Sequence, residues 1–123
     1  MFDLTGKTAL VTGATGGIGE AIATALHRQG ATVAITGRRE AELARVAEAL
    51  GGARVIIAPA DLSDPAAPAA LVERIEAEAG GLDILVNNAG ITRDGLLMRM
   101  GAEDWQTVID TDLSAIYRTC KAV

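Results

Sequence analysis

The chain alternates short, unbroken apolar runs with longer stretches in which apolar residues return every three or four positions. The first pattern is that of a strand buried on both faces, and the second that of a helix with one buried face. Thr8–Thr12, Thr32–Thr36, Val55–Ala58 and Leu82–Val86 are the predicted strands. Between the first two, Gly17–Gln29 reads as a helix carrying Ile18, Ala21, Ile22, Ala25 and Leu26 on one face, and Gly30 supplies its C-terminal cap. Glu40–Leu50 is the second helix, buried through Leu43, Val46, Ala47 and Leu50. A third starts at Ser63-Asp64-Pro65, a capping side chain followed by a proline whose missing N–H costs nothing there. Its core face is Leu71, Val72, Ile75 and Ala79, and Gly80-Gly81 end it. Residues 87–101 read as a loop with a short helix, and a last helix runs from about Glu103 onward.

Strand and helix thus alternate throughout, with short connections, which predicts an α/β fold: a parallel sheet covered by helices on both faces. Right-handed crossovers make it a Rossmann-like doubly wound sheet of four strands, most simply in the order 3-2-1-4; the flavodoxin-like order 2-1-3-4 fits the same alternation. At 123 residues and 12.6 kDa the chain is expected to form one domain spanning 1–123. Half of its residues are apolar, and a mean hydropathy of +0.28 excludes a disordered chain. No run reaches the length of a membrane-crossing helix, the start Met1-Phe2-Asp3 lacks the basic residues of a signal peptide, and Cys120 is alone. The expected location is the cytoplasm, with no membrane partner. The net charge of −5 argues against a nucleic-acid partner. It is unevenly placed: residues 1–60 carry six basic and five acidic side chains, residues 61–123 five and eleven, so an anion is better hosted by the first half.

The most specific local feature joins the first strand to the first helix: Thr12-Gly13-Ala14-Thr15-Gly16-Gly17-Ile18-Gly19. Gly13 turns the chain tightly, Gly17 lets backbone approach a pyrophosphate, and Gly19 lets the helix pack on the strand. A phosphate would then meet the N–H groups at the positive end of the helix. A glycine-rich turn is weak evidence alone; its place in a first βαβ unit is the context that dinucleotide binding requires.

The spacing Gly-x-x-x-Gly-x-Gly resembles that of the short-chain dehydrogenase/reductase family. Three further matches follow in the family's order. Asp61-Leu62 after the third strand looks like the pair that contacts adenine. Asn87-Asn88-Ala89-Gly90 after the fourth looks like the Asn-Asn-Ala-Gly signature that shapes the wall near the nicotinamide ribose. The segment from Ile91 to Met100, then Trp105, resembles the 3-oxoacyl-[acyl-carrier-protein] reductases of that family, which serve fatty acid biosynthesis. The resemblance covers the whole chain and implies an oxidoreductase with a nicotinamide dinucleotide as partner. Its cofactor-binding residues are Gly13, Thr15, Gly16, Gly17, Ile18, Gly19, Arg38, Asp61, Leu62, Asn88, Ala89 and Gly90. An NAD site needs a carboxylate after the second strand, where it repels a 2′-phosphate. This strand ends Thr36-Gly37-Arg38-Arg39, and Arg38 suits a phosphate, so NADP (NADPH) is expected over NAD. Many NADP-using members carry a basic residue where this chain has Gly16.

The family's catalytic tyrosine and lysine are spaced Tyr-x-x-x-Lys on a helix, with a serine on the strand before it. Tyr117 and Lys121 have that spacing but the wrong place, directly after the Asn87 segment with no intervening strand. The resemblance instead puts Asp112 at an asparagine position of the site, where a carboxylate offers only acceptors. The serine, tyrosine and lysine are therefore expected to be missing, the fold to be truncated relative to the full family fold within its fifth major helix, and the chain to be inactive alone. No metal site is expected: Asp110 and Asp112, two apart on a helix, point away from each other. His27 and Arg28 suit the end of the first helix, Trp105 reads as a packing anchor, and Met98 and Met100 as pocket-mouth or gap-filling residues. Ile109, Leu113, Ile116 and Cys120 form an apolar stripe that continues to Val123. With the fourth strand's edge, that stripe predicts a homo-oligomer. The alternative is a free-standing nucleotide-binding or self-associating module without catalysis.

Overall fold

The computed structural model describes residues 3–89 and 101–123 and places the alternation in one parallel sheet. β1 (Thr8–Thr12), β2 (Thr32–Thr36), β3 (Val55–Ile57) and β4 (Ile84–Val86) lie in the order β3-β2-β1-β4, the doubly wound arrangement. The flavodoxin-like order does not occur. Thr12 pairs with Thr36 across β1 and β2, and Val11 with Val86 across β1 and β4. Every residue of β1 is buried, because helices cover both faces of this central strand. α1 (Gly17–Arg28) and α2 (Glu40–Ala49) close one face over Val11, Val33, Ile35, Leu43 and Val46. α3 (Ala67–Ala79) and α5 (Ala115–Ala122) close the other over Leu10, Ala34, Ala58, Leu71 and Ile75. Each fully buried Leu, Ile or Val contributes roughly 1.5–3 kcal/mol.

The helix ends follow from local chemistry. Gly30 (φ +101°) and Gly80 (φ +82°) take the left-handed conformation after α1 and α3, as the glycine positions predict. Arg54, also at positive φ, donates from Nη1 to the carbonyls of His27 (3.3 Å) and Ala31 (2.7 Å), and His27 Nε2 donates to Ala53 O at 2.8 Å. The α2–β3 connection is thereby fastened to the end of α1.

Five expectations are corrected. Strands β3 and β4 are shorter than predicted. Helix α3 starts at Ala67, because Asp64 Oδ1 accepts the Ala66 N–H (3.0 Å) and holds Pro65 in a turn; Pro68 is the proline of the first helical turn. The buried face of α1 is Gly19, Ile22, Ala23 and Leu26, and Ile18 is 72% exposed. The last helix is not continuous: α4 (Ala102–Val108) and α5 are joined by a π-helical stretch, Ile109–Ser114. That stretch rotates α5 so that Ala115 and Thr119 face the core, while Leu113, Ile116 and Cys120 face outward. Trp105, read as a packing anchor, is 61% exposed.

Candidate functional site

The site is built at the C-terminal edge of the sheet, between the ends of β1, β2 and β4. Gly13 sits at φ +63°, and a Cβ there would lie 2.9 Å from Ala89 Cα, so only glycine fits. A Cβ on Gly19 would run into Gly13 O and the Asn88 amide, which is why α1 can start so close to the strand it leaves. Gly16 precedes α1 in an extended conformation, and no side chain caps the helix start. A Cβ on Gly17 would meet nothing within 4 Å. The backbone of this first turn therefore borders an open cleft lined by Gly13, Thr15, Gly16, Gly17, Ile18, Gly19 and Asn88.

The cleft continues over the end of β2 as a second compartment bounded by Gly13, Thr15, Gly37, Arg38, Asp61, Leu62 and Ala89, with Thr36 and Ala60 completing its lining. Arg38 is exposed at its rim. Asp61 Oδ1 accepts from both the hydroxyl (2.7 Å) and the backbone N–H (3.0 Å) of Ser63. These two bonds, with the Arg38 charge behind them, hold the Asp61 carboxyl below the usual aspartate range. The compartment thus pairs an exposed cation and a hydrogen-bonded carboxylate over an apolar floor.

Two threonines outside the predicted set stand at the site, and the first of them braces it. Thr12 Oγ1 accepts the N–H groups of Asn88 and Ala89, both at 2.9 Å, and donates to Val86 O at 3.2 Å. Asn88 Nδ2 donates to Gly13 O at 3.1 Å. The Asn-Asn-Ala segment is stitched to the glycine turn by these bonds. Thr36 is the second, and both threonines stand at the ends of otherwise apolar strands. That is the one signal by which sequence could have found them.

Eleven of the predicted cofactor-binding residues line the two compartments. Gly90, Met98 and Met100 lie outside the described residues, as does the side chain of Asp112 in the π-helical stretch. Tyr117 is 66% exposed on α5, with Lys121 Nζ 6.0 Å from its ring centre, and neither lines the cleft. Asn87 Nδ2 lies 3.5 Å from Cys120 Sγ, tying the same segment to α5.

Fold and sheet order place the chain in the Rossmann-like class of doubly wound α/β proteins. The family model for short chain dehydrogenases matches residues 7–123, and the chain belongs to the short-chain dehydrogenase/reductase family. It is 54% identical over 118 residues to nodulation protein G of Rhizobium sp. (strain N33), covering 96% of this chain and 48% of that protein. It is 48% identical over 120 residues to the 3-oxoacyl-[acyl-carrier-protein] reductase FabG of Escherichia coli (strain K12), with 96% and 48% covered. A metagenomic short-chain oxidoreductase solved in complex with NADP superposes with a TM-score of 0.92 at 38% identity, covering 97% of this chain and 55% of that one. The chain spans about half the length of the curated relatives it matches.

Proposed function

We propose that the 123 residues form the cofactor-binding half of an oxidoreductase similar to the 3-oxoacyl-[acyl-carrier-protein] reductases, with NADPH preferred over NADH. The observation that carries the preference is Arg38 at the rim of the compartment beyond β2, where an NAD site needs a carboxylate. The complex of a relative with NADP supports it. The residues fit the group: open space stands over Gly17 where a phosphate needs it, and the uncapped start of α1 offers N–H groups and a positive dipole end. When bound, the nicotinamide supplies a hydride for reduction of a carbonyl. This chain's own part is to bind and orient: the glycine turn takes the diphosphate, Arg38 the 2′-phosphate, Asp61 and Leu62 the adenine, and Asn88 and Ala89 the wall toward the nicotinamide ribose. Gly90 and Asp112 belong to the same site by family position.

The preference is tested by calorimetric titration with NADPH and NADH. Tighter binding of NADPH is expected, and equal affinities overturn the preference. Purified 123-residue chain is expected not to oxidise NADPH with a 3-oxoacyl thioester, because Tyr117 and Lys121 stand away from the cleft; turnover would overturn that reading. We place the protein in the cytoplasm; among the described residues no helix is long and apolar enough to cross a membrane. We further propose a homo-oligomer, supported by the half-buried edge strand β4 and by Leu113, Ile116 and Tyr117 exposed on or beside α5.

A further inference from the structure

Thr36 is 1% exposed, and its hydroxyl has no hydrogen-bond partner. Among the described residues it shares that condition only with one guanidinium nitrogen of Arg118, a residue that is merely half-buried. Buried hydroxyls are almost always paired, since desolvating one without compensation is unfavourable. Its neighbour Thr12, directly opposite in the sheet register, is fully satisfied by three bonds. The two threonines stand side by side on the same sheet face. Alternation along the strands puts Thr12 with Leu10 and Thr36 with Ala34, both facing the α3 side. Thr36 differs in lining the compartment between Arg38 and Asp61. The other groups there divide the chemistry sharply: Arg38 only donates, the Asp61 carboxylate only accepts, and the floor at Ala60 and Leu62 is apolar. Thr36, on the same lining, carries beneath its surface a hydroxyl that is able to do both.

We propose that Thr36 is a ligand-binding residue whose hydroxyl hydrogen-bonds the adenosine moiety of the bound dinucleotide, by direct contact or through one water. This rests on the dinucleotide reading above. It makes the hydroxyl unfavourable in the free protein and favourable in the complex, so its removal has opposite effects on the two states. Ligand affinity is thereby tied to a small loss of stability in the free chain.

The test compares the 123-residue chain with Thr36→Val, which keeps the shape and deletes the hydroxyl, and Thr36→Ser, which keeps the hydroxyl. Thermal unfolding without nucleotide and calorimetric titration with NADPH and with adenosine 2′,5′-bisphosphate are measured for all three. T36V is expected to melt at or above the parent, and to bind both nucleotides about three- to tenfold more weakly. T36S is expected to bind within about twofold of the parent, because the hydroxyl is kept. Unchanged affinities in T36V overturn the proposal while leaving the dinucleotide reading intact. A loss for NADPH alone overturns the assignment to adenosine. A T36V melting point below the parent, restored in T36S, overturns it by showing the hydroxyl paired within the protein. Failure of the parent chain to bind either nucleotide removes the dinucleotide reading itself, and the proposal with it.

Discussion

Thr12 and Thr36 carry the same side chain at paired positions and put it to different ends. Thr12→Val leaves the Asn88 and Ala89 N–H groups without their acceptor. It is expected to destabilise the fold by about 2–4 kcal/mol in urea unfolding, with Thr12→Ser close to the parent. Arg38→Ala is expected to weaken NADPH binding about tenfold or more and to leave NADH affinity nearly unchanged, since only the 2′-phosphate is lost. Asp61 gives a pH prediction. Its carboxyl is held down first by the Ser63 hydroxyl, then by the Ser63 N–H and Arg38. A folded value below the unfolded one means that this interaction is fully present above the ordinary aspartate range. It is lost as pH falls through the lowered folded value. Ser63→Ala is expected to move the Asp61 titration upward, read by carboxyl carbon NMR; an unmoved titration contradicts the assignment. The glycines of the turn were legible in sequence because their reason is local, a backbone angle or a missing Cβ. Thr12 was not, because a threonine in a buried strand reads as another β-branched residue until its partners, 76 and 77 positions away, are known.

At the scale of elements, helix and strand were legible wherever one period ran unbroken, as in β1, α2 and α3. The last helix was not. A repeat of three and four assumes i→i+4 hydrogen bonding, and the π-helical stretch Ile109–Ser114 breaks it. The stripe counted from Ile109 loses its phase there, so Ala115 packs with Leu71 and Ile75 of α3 and Thr119 is buried, while Leu113 and Ile116 are exposed. The buried Thr119 hydroxyl is satisfied within the helix, donating to Ala115 O at 2.7 Å. Ala115→Leu is therefore expected to overpack the α3–α5 contact and to destabilise by about 1–3 kcal/mol in urea unfolding. Leu113→Lys, by contrast, is expected to stay within about 0.5 kcal/mol of the parent when both are measured dilute enough to be monomeric. Asp64 shows the same lesson at smaller size: a residue that reads as a helix start spends its carboxylate on a turn.

At the scale of the molecule, alternation and handedness narrowed the sheet to two orders without any contact being known, and the structure takes 3-2-1-4 rather than 2-1-3-4. What surface stays uncovered was legible only in part, since the phase of α5 decides it. Leu113 at 63% exposure and Tyr117 at 66% lie on or beside a helix whose other face is in the core. Sedimentation equilibrium is expected to give a mass above 12.6 kDa, falling toward that value in a Leu113→Lys, Ile116→Lys variant. A parent chain that stays at 12.6 kDa at high concentration overturns the homo-oligomer. The stitching of Asn88 to Gly13 also governs the order of events in folding. The glycine turn lies near the start of the chain, yet the bond that braces it spans 75 residues. Parallel strands pay their loop-closure entropy before such contacts form. A growing chain therefore carries the turn long before the cleft exists, and the cleft is finished only once β4 has been made and docked beside β1.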